Sequence, residues 1–359
     1  MPGELNFTFG SFHSRVVIRE KLPKIAEISG FSPSCLVVCD EYTAPMAERI
    51  IGKSGAFPVV LPPGERYKNW DSVKTILRKA RERGLGRDGL FIAVGGGVVC
   101  DLAAFSASVY MRGAKLVLVP TTLLAMADAA LGGKTGFDLE NIKNLAGTFY
   151  PAGEIIVSLE TLETLPGREW KSGMAEIIKA AILAGNADSR GIMEASRNSR
   201  AAGPEKQVVE ELITMAVKVK GSIVEADPRE TGGERALLNL GHSFGHALET
   251  AAGLGSLSHG EAVAWGIARS CELGLALGIC PPERAKTIEE ILSAWGYETS
   301  VPCPFPVDPN LFKNALLSDK KKKSGKLRFV VPNADRAELV ECKKETEIYL
   351  EKLFMDLAR

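Results

Sequence analysis

Residues 90–101 read Leu-Phe-Ile-Ala-Val-Gly-Gly-Gly-Val-Val-Cys-Asp, and this stretch decides the fold class. Its first five residues form an unbroken apolar run of the length of a strand buried on both faces. Gly95, Gly96 and Gly97 follow at once, and positions 101–110 then carry a helical pattern. A glycine turn between strand and helix lets backbone N–H groups, backed by the positive end of the helix dipole, approach a phosphate closely. Three successive glycines are not the G-x-G-x-x-G fingerprint of a dinucleotide turn, so a tight turn needing positive φ stands beside the nucleotide reading.

Working outward, positions 35–39, 57–61 and 116–119 are runs of the same kind, with helical stretches such as 70–83 between them. Short apolar runs alternating with helices imply a parallel sheet with helices on its faces. Asp40, at the end of the first of these runs, supplies a carboxylate of the kind that holds a ribose hydroxyl pair. Beyond Pro166 the pattern changes to long helical stretches at 169–183, 205–226, 243–252, 261–277 and 282–295, with a Pro-rich connection at 302–309 and one late strand at 326–331. The expected fold is therefore α/β plus all-α, with an α/β domain over 1–162 and a helical domain over 163–359.

The composition fits. With 359 residues, and domains averaging about 150 residues, two domains are the natural division. Lys+Arg and Asp+Glu are both 44, so the formal net charge is zero and a nucleic-acid binder working by bulk positive charge is excluded. A hydrophobic share of 45% is too high for a disordered chain. The sequence contains neither an apolar run long enough for a membrane span nor a signal-peptide layout at Met1, which points to the cytoplasm. Seven cysteines without a Cys-x-x-Cys pair suggest buried reduced thiols rather than a disulfide framework.

Histidine placement is the sharpest chemical signal. Three of only 4 histidines, His242, His246 and His259, fall close together. His242 and His246 are four apart and share a helix face. Imidazole is the commonest metal ligand, and a catalytic zinc site takes three protein ligands and leaves one position open. Glu176, among small and apolar residues with Lys179 one turn further on, is the carboxylate that could complete the set. Gly132-Gly133-Lys134-Thr135 looks like the end of a phosphate loop, but the pattern needs glycine at position 128, and that residue is Asp128. Arg112, Lys134, Lys143, Lys220, Arg235 and the run 320–323 are cations able to hold a small polyanion.

Six ordered blocks carry a family resemblance. They are Gly95-Gly96-Gly97 with Asp101; Arg112-Gly113 with Val119-Pro120-Thr121-Thr122-Leu123-Leu124-Ala125; Gly132-Gly133-Lys134-Thr135 with Lys143-Asn144; Met174-Ala175-Glu176-Ile177-Ile178-Lys179; Leu238-Asn239-Leu240-Gly241-His242-Ser243-Phe244-Gly245-His246-Ala247; and His259-Gly260-Glu261-Ala262-Val263-Ala264. Together they resemble the 3-dehydroquinate synthases. The resemblance implies a Rossmann-like NAD-binding domain followed by a helical domain, with the active site in the cleft between them, and a homodimer. Zinc, or cobalt, would be bound by Glu176, His242 and His259. His246 would then contact substrate, as would Lys134, Lys179, Lys220, Arg235, Asn239, Asp128 and Asn144. Arg112 would reach the phosphate from the partner subunit, and Lys320 or Lys321 would also contribute. Asp40, Glu65, Lys68, Gly95, Gly96, Gly97, Asp101, Thr121, Thr122 and Lys143 would contact NAD.

The implied reaction takes 3-deoxy-D-arabino-heptulosonate 7-phosphate to 3-dehydroquinate and phosphate through transient oxidation, elimination, re-reduction and an intramolecular aldol step. The alternatives are a related cyclase acting on another heptulose 7-phosphate and a metal-dependent polyol dehydrogenase of the same fold. The chain departs from the family pattern at Phe137-Asp138, where Val-Asn is usual, and at Ile142, where glycine is usual.

Overall fold

Each apolar run of the N-terminal half becomes a strand of one sheet. The computed structural model describes residues 3–31, 34–140, 142–185, 192, 205–253, 256–301, 303, 307–322 and 327–358, except for the side chains of 319–322. The strands are β1 (Gly3–Phe9), β2 (Phe12–Arg19), β3 (Cys35–Asp40), β4 (Phe57–Leu61), β5 (Leu90–Gly95), β6 (Lys115–Pro120), β7 (Lys134–Leu139), β8 (Ile142–Phe149) and β9 (Glu154–Ser158). Seven of them form a sheet of order β1-β2-β9-β6-β5-β3-β4, parallel except for β1, while β7 and β8 make a separate antiparallel ribbon. The residues from Leu90 to Val94 are at most 1% exposed, as a central strand covered on both faces requires.

The sheet order creates the binding geometry. From β3 the chain passes to β4 on one side and then, through α2 (Trp70–Glu82), to β5 on the other side of β3. Successive connections therefore diverge between β3 and β5, and ligands of open α/β sheets bind outside the strand ends at such a point. Asp40 ends β3 and Gly95 ends β5. Between β3 and β4 runs α1 (Ala44–Ile51), and α3 (Gly97–Val109) follows β5. The latter starts four residues before the helix read from the sequence, so the glycines themselves form its entry, with Gly96 as N-cap. First-turn N–H groups have no intrahelical acceptor, so glycine's poor helix propensity matters little there.

The helical half contains α4 (Gly167–Ala184), α5 (Lys206–Ala226), α6 (His242–Ala252), α7 (His259–Ala276), α8 (Pro282–Ala294), α9 (Pro309–Lys322) and α10 (Lys344–Leu357), with the hairpin β10 (Arg328–Pro332) and β11 (Ala337–Glu341). Phe244, Leu248, Trp265, Phe312, Phe329 and Leu353 belong to its core. The chain forms two compact units, Met1–Pro166 with Lys220–Arg229, and Gly167–Val219 with Glu230–Arg359. The sequence division at 162/163 has no counterpart to the transfer of Lys220–Arg229 into the first unit. Its cause is local: the Glu225 carboxylate accepts the Thr8 N–H at 2.5 Å, and Gly221 leaves room for the Phe7 ring, which would lie 2.0 Å from a Cβ.

No disulfide joins the seven cysteines, and Cys35, Cys39, Cys100, Cys271 and Cys280 are buried. Burial pushes the thiols of Cys35 and Cys39 up to about 11 and about 12, so both stay protonated. Among the described residues, no helix is long and apolar enough to cross a membrane.

Candidate functional site

In the second unit, close helix packing gathers three side chains that are far apart in sequence. A Cβ at Gly266 of α7 would lie 1.9 Å from the carbonyl oxygen of Gly241, which caps α6, and a Cβ at Gly260 would lie 2.4 Å from Cα of Ser172 in α4. Glycine at these positions is what allows α6 and α4 to approach α7 so closely. A capping box fixes the start of α7: Ser258 Oγ accepts the Glu261 N–H at 3.3 Å, and the Glu261 carboxylate accepts the Ser258 N–H at 2.8 Å. His259 thereby becomes the first residue of α7, while His242 follows the left-handed Gly241 cap as the first residue of α6.

Both imidazoles face one carboxylate oxygen. Oε1 of Glu176 lies 3.3 Å from Nε2 of His259 and 3.5 Å from Nε2 of His242. Ligand atoms of the three residues all lie within 4.8 Å of one another. Oε2 of the same carboxylate pairs with the Lys179 ammonium, both groups being almost wholly buried. The outer nitrogens are also engaged: His242 Nδ1 is 3.2 Å from the Leu240 carbonyl oxygen, and His259 Nδ1 is 3.6 Å from the Glu249 carboxylate. Two imidazole nitrogens and one carboxylate oxygen, each backed by an outer partner, suit zinc or a similar divalent ion.

The charge states of Glu176 and His242 favour the same conclusion, whereas a metal would have to displace a proton from His259. Burial pushes Glu176 up, but Lys179, His242 and His259 outweigh it and hold the carboxyl well below its usual range. Burial, reinforced by the Lys179 charge, pushes His242 down to about 3, leaving a neutral imidazole of the kind a metal requires. His259 is raised to about 9 because Glu176 and Glu249 overcome its burial. His246, exposed, stands with its ring 5.2 Å from that of His242 and 6.1 Å from that of His259. Arg235 and Asn239 lie on the short 3-10 turn Glu234–Asn239, Arg235 being only 2% exposed. Lys320 and Lys321 fall in α9, but their side chains lie outside the described residues.

In the first unit, the turn from β5 into α3 offers the backbone donors expected of a phosphate site. Gly95 is stitched to the next strand by the Thr121 N–H, which donates to its carbonyl at 2.9 Å, while Thr122 Oγ1 accepts the Ala125 N–H at 3.2 Å. Asp40 is oriented by Thr43, whose N–H and hydroxyl donate to Asp40 Oδ1 at 2.8 and 2.9 Å. Gly132 and Gly133 both have positive φ and lead into strand β7 rather than a helix, which removes the phosphate-loop reading of Lys134 on structural grounds as well.

Around this turn the cations and carboxylates are arranged in pairs. Lys68 Nζ lies 2.6 Å from Asp101 Oδ2 and donates to Asn144 Oδ1 at 2.6 Å. Burial disfavours its charge, but Asp101, Glu65 and Asp138 more than restore it. Lys220 Nζ lies 2.9 Å from Asp128 Oδ1 and donates to the Asp128 carbonyl at 2.7 Å. Arg112 is exposed and follows Met111 in the left-handed region, with φ of +70° and +48°. Two successive non-glycine residues held there store strain of the kind found at ligand clamps. Lys134, Lys143 and Glu65 are exposed.

Sequence reasoning missed three contributors. Glu249, behind His259, sits three residues after His246 and seven after His242, so the helical repeat that links the histidines also reaches it. The Leu240 carbonyl had no sequence signal, because it acts through the backbone, and Asp138 was visible only as a departure from the family pattern, with nothing in the sequence to say that its carboxylate meets the Asn144 N–H.

Residues 58–172 match the family model for the 3-dehydroquinate synthase N-terminal part, and residues 173–322 match that for its C-terminal part. The 3-dehydroquinate synthase of Nostoc punctiforme is 40% identical over 286 residues, covering 78% of this chain and 77% of the relative. Among solved structures, a 2-epi-5-epi-valiolone synthase from Streptomyces hygroscopicus subsp. jinggangensis with NAD+ and Zn2+ bound superposes with a TM-score of 0.82 at 25% identity, covering 96% of each chain. A 2-deoxy-scyllo-inosose synthase complexed with carbaglucose-6-phosphate, NAD+ and Co2+ shares the fold, with a TM-score of 0.85 at 23% identity over 99% of this chain and 100% of the other.

Proposed function

The chain belongs to the 3-dehydroquinate synthase family, and from that premise we propose that it converts 3-deoxy-D-arabino-heptulosonate 7-phosphate into 3-dehydroquinate and phosphate, in the shikimate route to aromatic amino acids. The observation that carries this reading is the meeting of Glu176, His242 and His259 within 4.8 Å. When bound, NAD supplies a reversible hydride acceptor, and zinc or cobalt supplies a Lewis acid that lowers the pKa of a substrate hydroxyl.

The residues divide the remaining work. Glu176, His242 and His259 would hold the ion and leave a position for substrate. The N–H groups at Gly96 and Gly97 suit a pyrophosphate and Asp40 a ribose, with Gly95, Thr121, Thr122, Asp101, Lys68, Glu65 and Lys143 completing the nucleotide side. Lys179, tied to Glu176, places a fixed positive charge beside the ligand set, where it would stabilise an oxyanion. Lys134, Lys220, Arg235, Arg112 and His246 would hold the substrate's carboxylate and phosphate, assisted by Asn144, Asn239 and Asp128, and by Lys320 or Lys321. A site rich in cations suits a reaction in which the substrate's own phosphate takes the proton. The enzyme is proposed to act as a cytoplasmic homodimer.

The test is incubation of the purified protein with NAD, a zinc salt and the heptulosonate phosphate. Dehydroquinate and equimolar phosphate without net NADH are expected. Turnover of sedoheptulose 7-phosphate in its place would assign a related cyclase, and NADH accumulating from simple polyols would assign a dehydrogenase.

A further inference from the structure

The β7–β8 ribbon carries Phe137 and Asp138, where the chain departs from the family pattern, and Asp138 enters a connected network. The ladder register shifts between Phe137 and Leu139, which takes Asp138 out of pairing with β8. Its N–H instead donates to the Lys68 carbonyl at 2.7 Å, and its Oδ1 accepts the Asn144 N–H at 2.8 Å. Asn144 Oδ1 in turn accepts from Lys68 Nζ at 2.6 Å, which closes a ring of three links. A fourth link, from Lys68 to Asp101 at 2.6 Å, ties the ring to α3, one turn beyond the glycines.

Two further observations bear on the ring. Asn144 is exposed and has a φ of +52°, a left-handed state that asparagine adopts more readily than most L residues, and the Asp138 carboxylate takes its N–H in that state. Phe137 anchors the ribbon from beneath, its ring 5.5 Å from that of Trp70 and 5.1 Å from that of Phe105. Phe137 thus fixes the strand against α2 and α3, and Asp138 fixes the loop that follows.

We infer that Asp138 is a positioning residue: its carboxylate holds the Asn144 backbone in the left-handed state, so that the Asn144 side chain is set against Lys68 and joins the substrate loop to the nucleotide turn. The inference rests on the proposed role of Asn144 as a substrate contact. Only a hydrogen-bond acceptor is required of residue 138. Asparagine, the residue usual in the family pattern, could serve there, whereas alanine could not.

The experiment compares Asp138→Ala and Asp138→Asn in the full-length protein with NAD and zinc, by steady-state kinetics and by hydrogen exchange at the Asn144 amide. For Asp138→Ala the KM for the heptulosonate phosphate is expected to rise about tenfold, the effect of losing one hydrogen-bond acceptor for the Asn144 N–H, with kcat changed less than about twofold. Asn144 exchange should quicken at least about tenfold in the same variant, while Asp138→Asn stays within about threefold of the parent on both readouts. Unchanged KM with Asp138→Ala, unchanged exchange at Asn144, or an Asp138→Asn variant as damaged as the alanine one would each overturn the inference. If the parent enzyme fails to turn over this sugar, the functional reading falls, and the exchange rate at Asn144 still decides whether Asp138 holds the loop. Thermal melting checks that each variant folds.

Discussion

Gly260→Ala is the most informative single methyl group to add. The new Cβ would sit 2.4 Å from Ser172 Cα and 2.8 and 2.9 Å from the carbonyl oxygens of Ser172 and Lys171, all of them backbone atoms. Ordinary contact begins at 3.4 Å, so α7 must retreat from α4 by 3.4 − 2.4 = 1.0 Å. That displacement carries His259 away from Glu176, whereas metal–ligand distances tolerate only about 0.2 Å. Gly260 lies in the first turn of α7, where alanine's better helix propensity returns little, so the overpacking cost of roughly 1–3 kcal/mol stands as the net destabilisation. Zinc affinity is expected to fall roughly 10–100-fold. Competition with a chromogenic chelator measures the affinity, and melting in the presence of chelator measures the stability. Gly167→Ala, where nothing lies within 4 Å of the added carbon, is the control and should change neither. A folded Gly260→Ala protein that binds zinc as tightly as the parent would refute the packing argument.

Three other outcomes are expected. Glu176→Gln should lower zinc affinity at least about a hundredfold and destabilise the metal-free protein by roughly 3 kcal/mol, because it leaves the buried Lys179 ammonium opposite a neutral amide; titration and urea melts check both effects. The pH dependence follows from His259, which Glu176 and Glu249 raise, against its burial, from 6.5 to about 9. A raised folded-state value stabilises fully below the unfolded value, so the metal-free protein should lose melting temperature as pH climbs from 6.5 to about 9. Zinc must displace the same proton, so its affinity should rise by up to about tenfold per pH unit over that window; a flat profile would contradict the charge assignment. Gly96→Val should weaken NAD binding by about tenfold or more, measured by fluorescence titration, since its Cβ would already stand 3.1 Å from Thr122 Cγ2 and its branches would cover the turn's N–H groups.

The parallel strands were legible because burial on both faces leaves unbroken apolar runs, as in Cys35–Asp40 and Leu90–Gly95. The β1–β2 hairpin carries a different signal, the alternation of outward and inward residues along β1 that marks a half-covered strand, and a reading for unbroken apolar runs passes over it. Strand β9 was missed for a different reason. It opens on Glu154, which is buried only because Arg15 lies 2.9 Å away and Ser29 donates its N–H at 2.9 Å, and neither partner is near it in sequence. Histidine clustering pointed to the two imidazoles that meet the Glu176 carboxylate, since scarce residues of one chemistry rarely gather by accident. The transfer of Lys220–Arg229 to the first unit was beyond reach, because α5 reads as one uninterrupted helix and only the contacts of Lys220, Gly221 and Glu225 divide it.

The central claim is the metal centre, and anomalous diffraction at the zinc edge from zinc-loaded crystals tests it most directly. One peak is expected, with a Glu176 carboxylate oxygen and the Nε2 atoms of His242 and His259 each about 2.0–2.2 Å away. A peak elsewhere, or no peak from a protein that turns over its substrate, would contradict the account.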